Sequence, residues 1–190
     1  MGFEENRSAD IHRQLIEQCR EGDRQAQFRI YRLYAKAMYN TALRIVKIPE
    51  DAEEVMQEAF LSAFEKISGY RGEVRFGAWL KKIVVNRSLD HLRKNKVIFE
   101  ELDKAEKASP AEDDAGEEEN ASLPDVGRIK EAVKELPDGY RTILSLYLFE
   151  GYDHDEIADI LGITAVTSRT QYSRARKKLK KLLLEEKDNG

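Results

Sequence analysis

Apolar residues recur along this chain at three- and four-residue steps, the repeat that one face of an α-helix requires. Ile11, Leu15 and Cys19 mark a first helix, which Gly22 stops. Asp23 can cap a second helix running through about Val46. Its apolar face is drawn by Phe28, Tyr31, Tyr34 (or Leu33), Met38 and Ala42. Pro49 suits the start of a third helix, and Glu50, Asp51, Glu53 and Glu54 favour the positive end of its dipole. That helix is expected to bury Val55, Ala59, Phe60, Ala63 and Ile67 and to stop at Gly69. A fourth follows Gly72 and carries Phe76, Trp79, Leu80, Ile83 and Val84. Val84 and Val85 are β-branched, yet nothing around them alternates with the period of two that a strand needs.

The pattern lapses over 98–124 and resumes at Asp125. One helix is expected from Asp125 to Leu136, stopped by Pro137-Asp138-Gly139, and a second from Tyr140 to Phe149, ended by Gly151. Asp153 or His154 opens a short helix, Asp155 to Leu161. Gly162 and a long basic helix from Thr164 follow. The expected fold is therefore all-α: a helical bundle over 10–97 and a helix-turn-helix domain over 125–187, joined by a flexible linker over 98–124. No unit of 20–50 residues repeats, which argues against a solenoid.

Charge changes this picture. Over all 190 residues the formal net charge is −4, a value that by itself argues against nucleic acid as a partner. The average hides a segregation. Residues Glu100 to Asn120 hold ten acids and two bases, whereas Thr164 to Leu184 hold seven bases and no acid. The acidic stretch has too few large apolar residues to offset its ordering entropy, hence the flexible linker. With it removed, the two helical blocks together are net positive. Mean hydropathy is −0.63, and no run of 18 apolar residues or secretory leader pattern is present. The expectation is a cytoplasmic chain with no direct membrane insertion. One cysteine supplies neither a disulfide framework nor a Cys-rich zinc site.

The candidate chemistry is recognition. Asp155-Glu-Ile-Ala-Asp-Ile-Leu-Gly-Ile-Thr164 followed by a basic helix has the grammar of a helix-turn-helix. Ile157 and Ala158 face inward, Gly162 permits the turn, Ile163 plugs it and Thr164 caps the second helix. The exposed positions expected on that helix are Thr167, Arg169, Thr170, Gln171, Ser173 and Arg174, which suit base edges in the major groove. Arg176 and Lys177, with Lys178, Lys180 and Lys181, suit phosphates. A solvated basic face fits the same charges without DNA. Phe76, Trp79, Lys82, Asn86, Asp90 and Arg93 form a second set, in which rings stack on bases and cations hold phosphates. Phe76 and Trp79 fit a core equally well. The carboxylates around Asp51 to Glu58 read as a protein-docking face or as a solvated one. Scattered His12, His91 and His154 have no metal-ligand spacing, and no catalytic site, metal site or cofactor loop can be assembled.

In order along the chain, Asp51-Ala-Glu-Glu-Val-Met-Gln-Glu-Ala-Phe60, Tyr70-Arg-Gly-Glu73 and the series Phe76, Trp79, Leu80, Ile83, Asn86, Asp90, Arg93 resemble region 2 of the extracytoplasmic-function (ECF) sigma factors, small members of the bacterial sigma-70 family. Leu136-Pro, Tyr140-Arg, Glu150-Gly, Glu156-Ile-Ala, Leu161-Gly-Ile and Ser173-Arg-Ala-Arg-Lys177 resemble their region 4. The resemblance implies a non-enzymatic subunit that binds core RNA polymerase, through its β′ and β subunits, and directs it to promoter DNA. Asp51, Glu54, Gln57, Glu58 and Phe60 would dock on a β′ coiled coil. Phe76, Trp79, Lys82, Asn86 and Arg93 would melt and read the −10 element, trapping a flipped base, with Trp79 in a supporting role or a direct one. The C-terminal helix would read the −35 element as duplex. The linker would thread toward the polymerase cleft, and an anti-sigma factor is an expected partner. Where the family often has Gly-Thr-Val-Lys-Ser-Arg-Leu, this chain has Val166-Thr-Ser-Arg-Thr-Gln-Tyr172.

Two rival readings fit fewer residues. A helix-turn-helix regulator with a sensing N-terminal domain leaves the acidic face and the aromatic-basic helix unexplained. A metal-dependent nucleic-acid enzyme needs a carboxylate/His cluster that the spacing does not supply.

Overall fold

A computed structural model describes residues 12–94 and 126–188, and every regular element among them is helical. The expected linker, 98–124, and the first expected core residue, Ile11, lie outside the described residues. The chain divides into two compact units, Met1–His91 and Leu92–Gly190.

The first unit contains α1 (12–20), α2 (Arg24–Val46) and α3 (Pro49–Lys66), the last continued by one 3₁₀ turn at Ile67–Gly69. Helix α4 (Phe76–Lys94) follows. Asp23 caps α2, accepting from the amides of Gln25 (2.7 Å) and Ala26 (3.2 Å), worth about 1 kcal/mol. Pro49 opens α3 as its missing N–H suggests. The core joins Ile30, Met38, Ala42 and Ile45 of α2 to Val55, Ala59, Phe60 and Ala63 of α3 and Leu80, Val84, Val85 and Leu89 of α4.

The face expected for α2 is corrected. Phe28 and Leu33 point outward, 60% and 55% exposed, while Ala26 and Ile30 turn in. Small residues decide the phase: Ala26 and Ala42 let neighbouring helices come close, which bulky Phe28 and Leu33 would prevent. Phe28 instead lies under the Arg32 guanidinium, 6.0 Å from its ring centroid. The same logic appears at Gly77, where an added Cβ would sit 2.9 Å from Tyr34 Cε1, so α4 begins close against the edge of that ring.

In the second unit, α5 (Val126–Lys134), α6 (Asp138–Leu144) and α7 (His154–Leu161) each pack on the long α8 (Ala165–Asp188). Helix α6 widens into a π turn at Ser145–Phe149, with the Glu150 amide donating to the Ser145 carbonyl (3.1 Å). Leu136, Leu144 and Ala175 form a buried cluster under Tyr140, Tyr172, Leu179 and Leu182. Arg141 is buried beside them, its charge met by Asp138 and by the Leu136 carbonyl (3.2 Å).

The turn before α8 is built as its residues dictate. Asp153 accepts from the amides of Asp155 (2.9 Å) and Glu156 (2.8 Å), and Glu156 Oε2 accepts the Asp153 amide (2.9 Å), a complete capping box. Gly162 closes α7 with φ of 71°, a left-handed conformation that a side chain would strain. Thr164 Oγ1 then accepts the Thr167 amide (3.0 Å) and opens α8.

Candidate protein- and nucleic-acid-binding faces

Helix α3 presents Glu50, Glu53, Glu54, Gln57, Glu58, Leu61 and Glu65 outward at helical spacing. Of the five docking residues expected from the sequence, Glu54, Gln57 and Glu58 lie on this face, and Asp51 lies half-buried at its edge. Phe60 does not: it is 3% exposed, its ring 4.9 Å from Tyr31 and 6.0 Å from Phe64. Burying an aromatic ring contributes more than any surface contact it could make, so the core claims it. The outward apolar residue is its neighbour Leu61, 66% exposed. The phase of Val55, Ala59, Phe60 and Ala63 already pointed to Leu61, because four inward positions leave it opposite them.

Helix α4 braces this face from behind. Arg87 Nη1 lies 3.9 Å from Glu58, while Arg87 Nη2 donates to Ser62 Oγ (3.4 Å). His91 Nε2 approaches Asp51 Oδ2 to 3.1 Å without hydrogen-bond alignment. The glutamates are thus held on a helix that cannot readily turn.

On the outer side of α4, Trp79, Lys82, Asn86, Asp90 and Arg93 follow at steps of three, four, four and three, one continuous stripe. Lys82, Asn86 and Arg93 are exposed and Trp79 is half-buried. Phe76 is removed from the stripe, because it is buried beneath Tyr34 (5.6 Å), Tyr70 (5.4 Å) and Trp79 (5.4 Å between centroids). Here Phe76 acts as the floor and Trp79 as the ring that reaches the surface.

Beside this floor lies an open cavity of about 1040 Å³, lined by Arg13, Arg20, Tyr34, Tyr70, Arg75 and Phe76 among others. The loop forming its rim is tied down: Tyr70 Oη donates to the Val74 carbonyl (2.6 Å), and the Arg20 guanidinium donates to the carbonyls of Tyr70 and Ile67. Burial raises the pKa of Tyr70 and Tyr34 above the ordinary tyrosine value, so both phenols stay protonated at neutral pH. Glu17, paired with Arg20 at 2.6 Å, and Glu73 also line the cavity, so its edge carries both charges, and the aromatic walls suit a planar ligand. The periodicity reading missed this cavity, since its arginines lie on two separate segments, α1 and the loop before α4.

On α8 the outward stripe is Val166, Arg169, Arg176, Lys177 and Lys180, all exposed, with Thr170, Ser173 and Arg174 half-buried along it. Thr167 and Gln171, expected to meet bases, are instead buried. Thr167 takes part in the cap, its Oγ1 2.8 Å from Thr164 Oγ1. Gln171 is 1% exposed and faces the core with Ser168 and Ala175; its Nε2 has no hydrogen-bond partner among the described residues. Thr167 and Gln171 are as polar as the outward residues, so hydropathy hides their place, and packing against α6 and α7 settles the phase.

Next to the stripe, His154 stacks on Tyr147 (4.6 Å between centroids, 20°), and its Nδ1 is 2.9 Å from Ser168 Oγ. Burial, and then the Arg169 charge, hold its pKa below the ordinary histidine value, against the opposing carboxylates of Asp153 and Asp155. The ring ties the first turn of α7 to α8. Cys19 is a core thiol, pushed up to about 11 by burial and by Asp23, and so is not a nucleophile at neutral pH. Among the described residues, no group of three or more His, Cys, Asp or Glu could hold a metal ion, and no helix is long and apolar enough to cross a membrane.

The chain has relatives among known proteins. The family model for sigma-70 region 2 matches residues 30–97, and that for sigma-70 region 4 matches 127–179. The chain is 31% identical to the ECF RNA polymerase sigma factor SigW of Bacillus subtilis, covering 88% of this chain and 94% of that protein. It is 29% identical to RNA polymerase sigma-H factor of Pseudomonas aeruginosa, over 90% of this chain and 92% of that one. Among solved structures, its fold is similar to the sigma factor RpoE in complex with the anti-sigma factor NepR from Bartonella quintana (TM-score 0.54, 23% identity, 82% of this chain and 94% of that one). It is also similar to CnrH in complex with the cytosolic domain of CnrY (TM-score 0.53, 23% identity, 90% and 96% covered). With both sigma regions matched in order and relatives aligned over nearly their whole length, the chain belongs to the ECF sigma factors of the sigma-70 family.

Proposed function

We propose that this sigma factor docks on core RNA polymerase through the outward face of α3, reads the −10 element as melted strand with α4, and reads the −35 element as duplex with α8. The observation that carries the reading is the separation of three outward stripes of different chemistry: acidic with one apolar centre on α3, aromatic and cationic on α4, and cationic on α8.

Each stripe suits its target physically. A basic coiled-coil surface complements Glu54, Gln57 and Glu58, and Leu61 supplies the desolvated centre that an interface needs. Trp79, Lys82, Asn86 and Arg93 combine a stacking ring, phosphate-binding cations and an amide for a base edge. The cavity beside Phe76 supports capture of a flipped base. Arg169, Thr170, Ser173 and Arg174 supply hydrogen-bonding readout, and Arg176 and Lys177 supply phosphate contacts that set register. The domains would be 10–97 for polymerase binding and melting and 125–187 for duplex recognition. The polymerase performs the chemistry; this chain contributes positioning and strand separation. An anti-sigma factor is an expected regulator, a reading supported by the similar fold of RpoE having been captured with the anti-sigma factor NepR.

Co-purification with core polymerase tests the reading. The chain is expected to form a complex that a Glu54→Lys substitution disrupts. No complex with core enzyme would overturn it.

A further inference from the structure

Val166 lies in the first turn of α8 and is 69% exposed, more than any other large apolar side chain among the described residues. Single apolar residues on a surface are ordinary, so exposure alone decides nothing. Position does. Val166 heads the outward stripe that continues through Arg169, Thr170, Ser173 and Lys177, at steps of three, four, seven and eleven. The rotational phase of α8 is locked by Ser168, Gln171 and Ala175 on the inward side and by the Thr164 cap. Val166 cannot turn in without turning these out. A β-branched side chain on a helix is also held to essentially one χ1 rotamer, so its two methyls point in a fixed direction.

In a helix-turn-helix, the N-terminal residues of the second helix meet base edges in the major groove. The apolar feature offered there is the C5-methyl of thymine. Against guanine, adenine or cytosine, an isopropyl group would cover a donor or acceptor without pairing it, at a cost comparable to a lost hydrogen bond. We propose that Val166 is a specificity-determining residue, packing on the C5-methyl of one thymine in the −35 element. The proposal rests on the reading of α8 as the duplex-recognition helix. Arg169 and Thr170 then hydrogen-bond neighbouring pairs, and Val166 adds a filter based on shape.

The test uses the full chain bound to core polymerase. A duplex library randomised over the −35 element yields the preferred site. Each thymine of that site, on both strands, is then replaced in turn by deoxyuridine, which removes one methyl and keeps the pairing edge. At one position the replacement is expected to weaken binding by the wild type about fourfold, the value for losing one buried methyl. Val166→Ala should bind the thymine and deoxyuridine duplexes within about twofold of each other, while Val166→Thr, which keeps a branched methyl, retains part of the discrimination. An unchanged thermal midpoint in both variants excludes a folding effect. A flat deoxyuridine scan in the wild type would overturn the proposal, as would discrimination that survives in Val166→Ala. A loss of core-polymerase capture in Val166→Ala would also overturn it, by assigning the side chain to a protein interface. If Arg174→Ala still weakens binding while the scan is flat, the reading of α8 stands without Val166. If no −35 preference is selected at all, that reading falls and this proposal with it.

Discussion

The two units distribute their outward chemistry differently. In the first, it is divided between α3 and α4, which are cross-braced by Arg87 to Glu58 and Ser62 and by the approach of His91 to Asp51. In the second, it runs down α8, whose phase is set by packing against α6 and α7. The residues turned inward differ as well. Phe60 and Phe76 are claimed by an aromatic core, while Thr167, Ser168 and Gln171 are polar groups that must find partners inside. Thr167 and Ser168 find them, in Thr164 and His154; the Gln171 Nε2 does not, among the described residues. Each unit thus buries a polar nitrogen with no hydrogen-bond partner among the described residues, His91 Nε2 behind the acidic face of α3 in the first and Gln171 Nε2 on the inward side of α8 in the second.

The largest effect expected from this contrast separates neighbours on α3. Phe60→Ala should destabilise the first unit by about 3–5 kcal/mol, read from the fluorescence of Trp79 in denaturant. Leu61→Ala should leave that stability within about 0.5 kcal/mol. It should instead weaken core-polymerase capture roughly thirtyfold, the scale of an interface hot spot. The reverse pattern would break the assignment of inward and outward faces.

Next in size are losses that separate α4 from α8. Asn86→Ala should leave core binding intact but slow open-complex formation, scored by permanganate reactivity of unpaired thymines. Arg174→Ala should cost about 1–3 kcal/mol in promoter affinity if it meets a base, or lower the salt slope by about one if it meets a phosphate. Unchanged affinity and slope together would remove Arg174 from the interface. A subtler change concerns Gln171. Replacing the buried amide by Leu should stabilise the second unit by about 1 kcal/mol and leave promoter preference unaltered. A shifted −35 preference would show that Gln171 reads DNA after all.

The smallest effect is pH-dependent. With the folded pKa of His154 below its ordinary 6.5, the unfolded chain takes up the proton more readily. Stability from this group is therefore complete above pH 6.5 and declines as pH falls from there through the lowered folded value. Hydrogen exchange of the α7 and α8 amides should show the decline, and His154→Asn should flatten it.

Helix existence, order and caps were legible in the sequence because Asp23, Pro49, Asp153, Gly162 and Thr164 each act through local chemistry. The inward face of α3 was legible too, from Val55, Ala59, Phe60 and Ala63. Helix α2 misled because Phe28 and Leu33 outweigh Ala26 and Ala42 in hydropathy, although small residues govern close approach. On α8, hydropathy could not place Thr167 and Gln171, which are as polar as the residues that face out. The loop and cavity around Tyr70 depend on Arg20, distant in sequence, and no local pattern announces them. Docking on polymerase through Phe60, implied by resemblance, conflicted with the periodicity; burial of that ring sides with the periodicity.

The central claim is that separate faces of one chain bind polymerase and read a promoter in two forms. Run-off transcription by core polymerase with the purified chain, over a promoter library randomised at both elements, tests it most directly. The account predicts chain-dependent transcripts from templates sharing two short elements at fixed spacing, lost with Glu54→Lys even when promoter DNA is in excess. Transcription no greater than that of core enzyme alone would contradict it.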